Sequence, residues 1–143
     1  MSKRNLNGKD RRIKGPFGMV PKAVHESQAY RSLSPRAAKL LLDMLMQYNG
    51  SNNGDLNASF QSLKRYGWGS KNNLHRAAVE LRESGLIFRT RVGGRNNVCS
   101  LYGLAWQPID ECRHQKTGSI KFDSGFKALI GKKPGGWHDG ERN

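Results

Sequence analysis

The chain has 143 residues, of which 36% are hydrophobic and 25% are charged, a composition that suits one folded domain with some polar chain outside it. Its 25 Lys and Arg residues against 11 Asp and Glu residues give a net charge of +14, which favours nucleic acid as a partner ahead of an acidic membrane surface. No apolar run approaches the roughly 20 residues that span a bilayer and none follows the basic start, so we expect a cytoplasmic protein with no membrane partner and no secretory signal.

Residues that bind metals or carry catalysis are few and scattered. Cys99 and Cys112 do not make a disulfide framework and are interpreted as reduced thiols. A zinc site needs four ligands at close spacing, and Cys112 and His114 lack further candidates nearby. Nucleases and relaxases need clustered carboxylates, or a histidine pair with a tyrosine nucleophile, and neither is evident. We therefore expect no metal, no cofactor and no enzymatic activity.

The first 16 residues are polar and basic, and we expect them to form a flexible arm. The arm either follows DNA phosphates or enters a minor groove, or it is a solubilising tail that adds only diffuse charge. Its candidate contacts with the DNA backbone are Lys14, Arg11 and Arg12. Residues 17–24 are predicted to be extended, because Pro21 opposes a helix there. A helical turn over 27–33 is predicted to pack on the next helix.

A helix is predicted from Ser34 to Tyr48. Ser34 can cap it, and Pro35 suits its first position, where no N–H is needed. Its apolar residues form a wide stripe that indicates core rather than a partner-binding seam: Ala37, Ala38, Leu41, Leu42, Leu45 and Met46. Arg36 lies outside the stripe and is a candidate contact with the DNA backbone.

A loop and a second, shorter helix follow. Residues 49–54 have the Asn and Gly content of a loop, and 55–57 are predicted as a very short strand. The second helix is predicted over 58–66, with Ser59 or Asn57 as its cap. Two exposed bases on it are further candidate contacts with the DNA backbone, Lys64 and Arg65. A tight connection that contains glycine leads to the next helix.

The stretch from Ser70 to Gly85 organises the rest of the chain. Ser70 can cap a helix and Gly85 can end it in a left-handed conformation. One apolar stripe is formed by Leu74, Ala77, Ala78 and Leu81. The other side is polar, and Asn and Arg can contact adenine and guanine edges in a major groove. We interpret the stretch as a DNA recognition helix, the alternative being an ordinary amphipathic surface helix. The candidate contacts are Ser70, Lys71, Asn72, Asn73, His75 and Arg76.

The hydrophobic period changes from helix to strand after this stretch. Residues 86–92 and 98–106 are predicted strands, and 93–97 is the turn of a hairpin. Helix, helix-turn-helix and hairpin follow one another in the winged-helix order, which makes the hairpin the wing. Basic residues there can reach phosphates or the minor groove, a solvated strand face being the alternative. The candidate wing contacts are Arg89, Arg91, Arg95, Asn96 and Asn97.

These elements predict a mainly α fold with a small β-hairpin (α+β), a winged helix-turn-helix. Residues 1–16 are the basic flexible arm and residues 17–110 are the DNA-binding domain. Residues 111–143 are predicted as an extended, mostly flexible tail with a short helix at 124–130.

Within residues 17–110 the chain resembles small winged-helix proteins of bacterial phages, plasmids and integrative elements. The similar segments are 29–37, 67–71, 80–87, 90–96 and 100–110. Ala105 stands where such proteins often have threonine, a small change that does not affect the fold. The resemblance implies a transcriptional repressor or an accessory replication or maintenance factor of a mobile element, acting at the bacterial nucleoid.

The expected function is sequence-specific binding of double-stranded DNA, by a transcriptional regulator (a repressor) of a mobile genetic element. The alternative is an accessory plasmid or phage replication, partition or stability factor that binds origin or repeat DNA. RNA is a weaker candidate, because the exposed aromatic platform that stacks single strands is not evident. A homodimer or cooperative assembly on repeated sites is a further hypothesis.

Overall fold

Helices dominate the fold, and one small β-hairpin completes it. The computed structural model describes residues 13–94 and 98–135. The elements are α1 (Lys22–His25), α2 (Gln28–Arg31), α3 (Pro35–Leu45), α4 (Phe60–Leu63), a 3-10 turn (Lys64–Tyr66), α5 (Lys71–Ser84), β1 (Ile87–Arg91), β2 (Leu101–Leu104) and α6 (Ser124–Lys127). The helices and the two-stranded antiparallel hairpin confirm the predicted α+β class. In the described ranges, no helix has the length and apolar character needed to cross a bilayer. Residues 1–12 of the predicted arm and 136–143 of the predicted tail lie outside these ranges.

The chain enters the fold through two short helices. α1 begins directly after Pro21, whose carbonyl oxygen accepts bonds from Val24 N–H and His25 N–H at 3.0 and 3.2 Å. The prediction that 17–24 is extended is therefore wrong at the end of the segment. Proline is disfavoured inside a helix but is tolerated directly before one. α2 is the predicted helical turn, and the Ser27 side chain caps it. Apolar side chains of both helices pack against the main core.

Of the first three helices, α3 is the most deeply buried. Ser34 caps it by accepting a bond from Ala37 N–H at 3.2 Å, and Pro35 occupies its first position, as predicted. The helix ends at Leu45, three residues before the predicted end at Tyr48. Its buried residues are Ala37, Leu40, Leu41, Met44 and Leu45.

Two residues of the predicted stripe of α3 lie on its outside. Leu42 is 49% exposed, and Met46, which follows the helix, is 52% exposed. Their assignment to the core is wrong. Six of the seven positions from 40 to 46 are apolar, so the sequence pattern does not select one face. Packing of α3 on α5 selects the face that contains Leu40 and Met44.

α4 and α5 both begin at a capping serine. Ser59 Oγ accepts a bond from Ser62 N–H at 3.3 Å, and Ser70 Oγ accepts one from Asn73 N–H at 3.2 Å. α5 ends at Gly85, which has a left-handed φ of 81°, as predicted. Its predicted apolar stripe is buried: Leu74, Ala77, Ala78 and Leu81. α5 packs on α3, and its polar side is left outward.

The turn between the 3-10 segment and α5 is fastened to α3. Gly67 has a left-handed φ of 96°, and the next residue, Trp68, is buried. The Trp68 indole N–H donates to Asp43 Oδ2 at 2.8 Å. Lys39 Nζ donates to the same oxygen and to Tyr66 O, both at 2.7 Å. These bonds determine where α5 starts relative to α3.

The hairpin contains one irregularity, in β1. Arg89 pairs with Tyr102 and Arg91 with Leu101, which makes Thr90 an extra residue. The bulge interrupts the regular alternation that the sequence predicts for the two arginines.

A buried asparagine joins the loop after α3 to the end of β2. Asn53 Oδ1 accepts a bond from Leu104 N–H at 2.7 Å. Its side-chain N–H₂ group donates at 3.0–3.1 Å to three backbone carbonyl oxygens, those of Leu104, Gln107 and Pro108. Further along, Leu56 pairs with Tyr102 through two backbone bonds, where a very short strand is predicted. The loop therefore closes one edge of the hairpin.

The segment after β2 has more structure than its weak periodicity indicates. It forms a second, smaller buried cluster of Ile109, Cys112 and Phe122. Asp123 N–H donates to Thr90 O at 2.9 Å, and the Asp123 carboxylate accepts a bond from Val92 N–H at 2.9 Å. The short helix predicted at 124–130 is present as the four-residue α6. Through these two bonds the segment is attached to the end of β1.

Asn53→Ala should lower the free energy of unfolding by about 2–4 kcal/mol, because it leaves several buried backbone groups without partners. Chemical denaturation measures the change. The matched control is Asn52→Ala, since the half-buried Asn52 side chain bonds only Gln47 O and Asn49 N–H, each at 2.8 Å. The control should cost less than about 1 kcal/mol. Equal losses in the two variants would contradict the role given to Asn53.

Candidate nucleic-acid interface

The outward side of α5 is polar and solvent-exposed. Asn72, His75 and Arg76 are exposed on it, and Lys71 is exposed at the first position of the helix. Within the described part of the chain, the side chains of Asn72, His75 and Arg76 have no hydrogen-bond or ion-pair partner. Their polar groups are therefore available to a ligand outside the chain.

Two other predicted site residues of α5 are engaged within the protein. Ser70 Oγ is used as the helix cap. Asn73 is half-buried, and its Oδ1 accepts a bond from Arg36 Nη1 at 3.1 Å. This bond holds the exposed guanidinium of Arg36 beside the first turns of α5. Asn73 therefore acts mainly by placing Arg36, with its amide N–H₂ group left for another contact.

Glu80 locks the middle of α5 to the start of α3. Its two carboxylate oxygens accept bonds from Ser34 N–H and Ser34 Oγ–H, both at 2.7 Å. The hydroxyl bond first, and the backbone bond second, lower the pKa of Glu80 from its usual 4.5. The carboxylate therefore stays ionised at neutral pH while its oxygens are engaged by the protein.

Most acids in the described ranges are occupied in the same way. Six of their eight carboxylates accept hydrogen bonds from protein groups: Asp43, Asp55, Glu80, Asp110, Glu111 and Asp123. Within the described ranges, only three ion pairs involve these carboxylates, and their cations are Lys39, Lys121 and Arg113. The two described carboxylates that are not engaged are Glu26 and Glu83, and Glu83 is exposed in the last turn of α5, seven positions after Arg76. The first two turns of α5 contain Lys71 and Arg76 and no acid, so cations dominate the start of the helix.

A groove of about 880 Å³ separates α5 from the second arm of the hairpin. Lys71 and His75 line its α5 wall, and Val98, Cys99 and Ser100 line the opposite wall. The Lys71 ammonium also lies 5.9 Å from the centre of the Phe60 ring in the same groove. One wall of the groove is thus the start of α5, and the other is the second arm of the hairpin.

The hairpin arginines are partly committed to the fold. Arg91 donates from Nε and Nη2 to Cys99 O, at 3.2 and 2.9 Å, and so joins the two arms beyond the paired residues. Arg89 is half-buried opposite Tyr102. Arg91 therefore has a structural role in addition to its predicted contact with DNA. The other predicted wing residues lie outside the described ranges, namely Arg95, Asn96 and Asn97.

The predicted backbone contacts are exposed where the structure describes them. Lys64 and Arg65 are exposed in the 3-10 turn before α5. Arg65 Nη2 donates to Tyr66 Oη at 2.8 Å, and its guanidinium lies 4.7 Å from the centre of that ring. Lys14 is exposed near the start of the described chain. The remaining two, Arg11 and Arg12, lie outside the described ranges.

The two cysteines are free thiols in different surroundings. Cys112 is buried, and burial together with the carboxylates of Asp55 and Asp110 raises the pKa of its thiol to about 11. It is therefore protonated and unreactive at neutral pH. Cys99 is exposed and is not bonded to Cys112. The described ranges contain no group of three or more His, Cys, Asp or Glu residues placed to hold a metal ion.

Comparison of the chain with protein-family models, curated proteins and solved structures finds no match. The site is therefore argued from the residues of this chain alone. Sequence reasoning predicted the outward side of α5, but it missed the Arg36–Asn73 and Ser34–Glu80 contacts. The first contact joins residues 37 positions apart and the second joins residues 46 positions apart, and no local sequence pattern indicates such contacts.

Glu80→Gln should lower the free energy of unfolding by about 1 kcal/mol at pH 7, because a neutral amide holds Ser34 less strongly. Since the folded-state pKa of Glu80 is depressed, its contribution is complete above the usual value of 4.5 and is lost as pH falls through the lower folded-state pKa. Denaturation curves of the two proteins should therefore converge towards pH 3.

The control for this experiment is Glu83→Gln, which removes the same charge from α5 at an exposed position. It should change stability by less than about 0.5 kcal/mol at either pH. A difference between the Glu80 variant and the unmodified protein that is as large at pH 3 as at pH 7 would exclude the charged contact as its cause.

Proposed function

We propose that this protein is a sequence-specific double-stranded DNA-binding protein of the winged helix-turn-helix class. α4, the tight turn and α5 are its helix-turn-helix, α5 is the recognition helix, and the β1–β2 hairpin is the wing. The order of the elements supports this reading, as does the pairing of Leu56 with Tyr102, which attaches a third segment to the hairpin.

The observation that carries the proposal is the unpartnered polar side of α5. Arg76 and Asn72 are one turn apart on it, exposed and, among the described residues, without hydrogen-bond partners. The Arg76 guanidinium offers paired donors that suit a guanine edge, and the Asn72 amide offers a donor and an acceptor that suit an adenine edge. A helix of 14 residues is about 21 Å long and about 10–12 Å wide, which fits the roughly 12 Å width of a B-DNA major groove.

The surrounding cations have a different task in this proposal. Arg36 and Lys71 lie beside the start of α5, and Lys64 and Arg65 lie just before it, so they can grip the phosphates on either side of the groove. Such contacts supply affinity and orient the protein, whereas the α5 side supplies discrimination between bases. The hairpin wall of the 880 Å³ groove would then follow the neighbouring backbone.

The biological role that fits best is repression of transcription in a mobile genetic element, in the bacterial cytoplasm at the nucleoid. Support for this part is the sequence resemblance to small winged-helix proteins of phages, plasmids and integrative elements. A binding role agrees with the site, where unpartnered donors and cations rather than paired acids and nucleophiles face outward.

Selection from a pool of randomised duplexes tests the proposal directly. The purified chain should enrich one sequence, and footprinting should show protection of one major-groove face with flanking phosphates. Enrichment of no sequence over repeated rounds at moderate salt, or preference for single strands, would overturn the proposal.

Arg76→Ala should cost about 1–3 kcal/mol on the selected duplex and relax the preference at one base pair, because a bidentate base contact is lost. Its matched control is Arg82→Ala, which removes the same charge from the same helix at a half-buried position outside the predicted site. The control should keep the base preference. Titrations on selected and scrambled duplexes measure both effects.

Lys64→Ala should weaken binding to selected and scrambled duplexes by the same factor, because phosphates are identical in all sequences. It should also lower the slope of log affinity against log salt concentration by about one unit.

If Arg76→Ala left the affinities for the selected and the scrambled duplex unchanged, α5 would not be the element that reads bases.

A further inference from the structure

A second surface, on the outside of α3, is apolar rather than basic. Of the large hydrophobic residues that are exposed in the described ranges, five of seven belong to residues 13–46. We define the α3 outer patch as the four of them that are nearest to α3: Phe17, Met19, Leu42 and Met46. Their exposed fractions are 70%, 69%, 49% and 52%. Contiguous exposed apolar residues of this kind mark a surface that another molecule covers.

The residues of the patch come from two segments that meet at the end of α3. Leu42 and Met46 are one helical turn apart. A Cβ atom on Gly18 would lie 2.8 Å from Leu45 Cγ and 3.0 Å from Met46 Cε, so the segment carrying Phe17 and Met19 lies directly on the end of α3. Beside Leu42, an open groove of about 480 Å³ is floored by Val20, Leu41 and Tyr30.

The rim of this groove carries one charge of each sign. Lys22, the first residue of α1, and Glu26, the residue that follows α1, line it together, and Glu26 N–H donates to Lys22 O at 2.8 Å. Their formal charges cancel, whereas the whole chain carries +14. A polyanion is therefore not attracted to this groove. A second copy of the chain, which most of the surface would repel, can approach here.

We propose that the α3 outer patch is the interface through which two copies of this chain form a two-fold symmetric dimer. A two-fold axis brings the same patch of each copy together, so an apolar surface with a mixed-charge rim is complementary to itself. In that arrangement Lys22 of each copy faces Glu26 of the other, and Leu42 and Met46 of both copies are buried.

This interface leaves the outward side of α5 free, because none of the residues lining the groove belongs to α5. If the proposed DNA-binding function holds, the dimer presents two recognition helices to two half-sites of a palindrome. The dimer itself does not depend on that function, and it can be tested without DNA.

Sedimentation velocity of the purified full chain, over a concentration series without nucleic acid, is the first measurement. The weight-average mass should rise with concentration from that of the monomer towards that of a dimer. Leu42→Glu should weaken the dimer at least about tenfold, because it buries an unpaired charge. The control is Val92→Glu, which places the same charge at the other exposed apolar site, in the hairpin, where Val92 is 58% exposed. It should leave the mass unchanged.

Charge reversal identifies the partner as a second copy. Lys22→Glu alone and Glu26→Lys alone should each weaken the dimer, by about three- to tenfold, since each opposes like charges. The double variant Lys22→Glu/Glu26→Lys should restore it, because both pairs reform with reversed sign. Circular dichroism checks that each variant remains folded.

The outcomes separate the possible occupants of the patch. A chain that is monomeric up to about 1 mM, or a dimer insensitive to Leu42→Glu, overturns the proposal. Monomers that bind phosphatidylcholine vesicles containing phosphatidylserine through Leu42 would also overturn it and assign the patch to a membrane surface. A dimer that selects no DNA sequence would leave this interface standing and reject the proposed function.

Discussion

The structure depends on one constraint, namely that α5 has a single apolar stripe and must bury it against α3. Once Leu74 and Leu81 are packed inward, the 3.6-residue period obliges Asn72 and Arg76 to face the solvent. Ser34 and Ser70 cap the starts of α3 and α5, and the left-handed Gly85 ends α5. The two hydrogen bonds that Ser34 donates to the carboxylate of Glu80 then fix the position of α5 along α3.

The few acids of this basic chain serve chiefly as internal acceptors. Asp43 holds the buried indole of Trp68, Asp110 accepts the N–H of Asn53, and Asp123 joins the C-terminal segment to the hairpin. Carboxylates used in this way stabilise turns and helix starts that a small core would leave loosely placed. None of these three carboxylates is bonded to Arg76. The net charge itself follows from the composition, whereas the bonding of the acids helps to hold the fold together.

Two surfaces of different chemistry result. The outward side of α5 combines unpartnered amide and guanidinium groups with neighbouring cations, a combination suited to a polyanion with a readable surface. The α3 outer patch combines apolar side chains with a rim of zero net charge, a combination suited to a protein surface. No residue of either surface belongs to the other, so binding at one leaves the other accessible. The proposed dimer and the proposed DNA contact would therefore use separate surfaces.

Local signals in the sequence were sufficient for the order and type of most elements. The caps at Ser34, Ser59 and Ser70, the buried stripe of α5 and the strand period after Gly85 all depend on residues within one or two turns of each other. The sequence also indicated the outward polar side of α5, because amphipathic spacing determines which side chains oppose the stripe.

Only the tertiary structure decided the rest. Six of the seven positions from 40 to 46 in and after α3 are apolar, so contact with α5 decided that Leu42 lies outside. The bulge at Thr90 and the hub at Asn53 likewise depend on partners far along the chain. Sequence by itself determined the local conformations, which depend on neighbouring residues, and the net charge, which follows from the composition. Tertiary structure decided which faces are covered and which acids are engaged, because those contacts form only between segments that the chain brings together on folding.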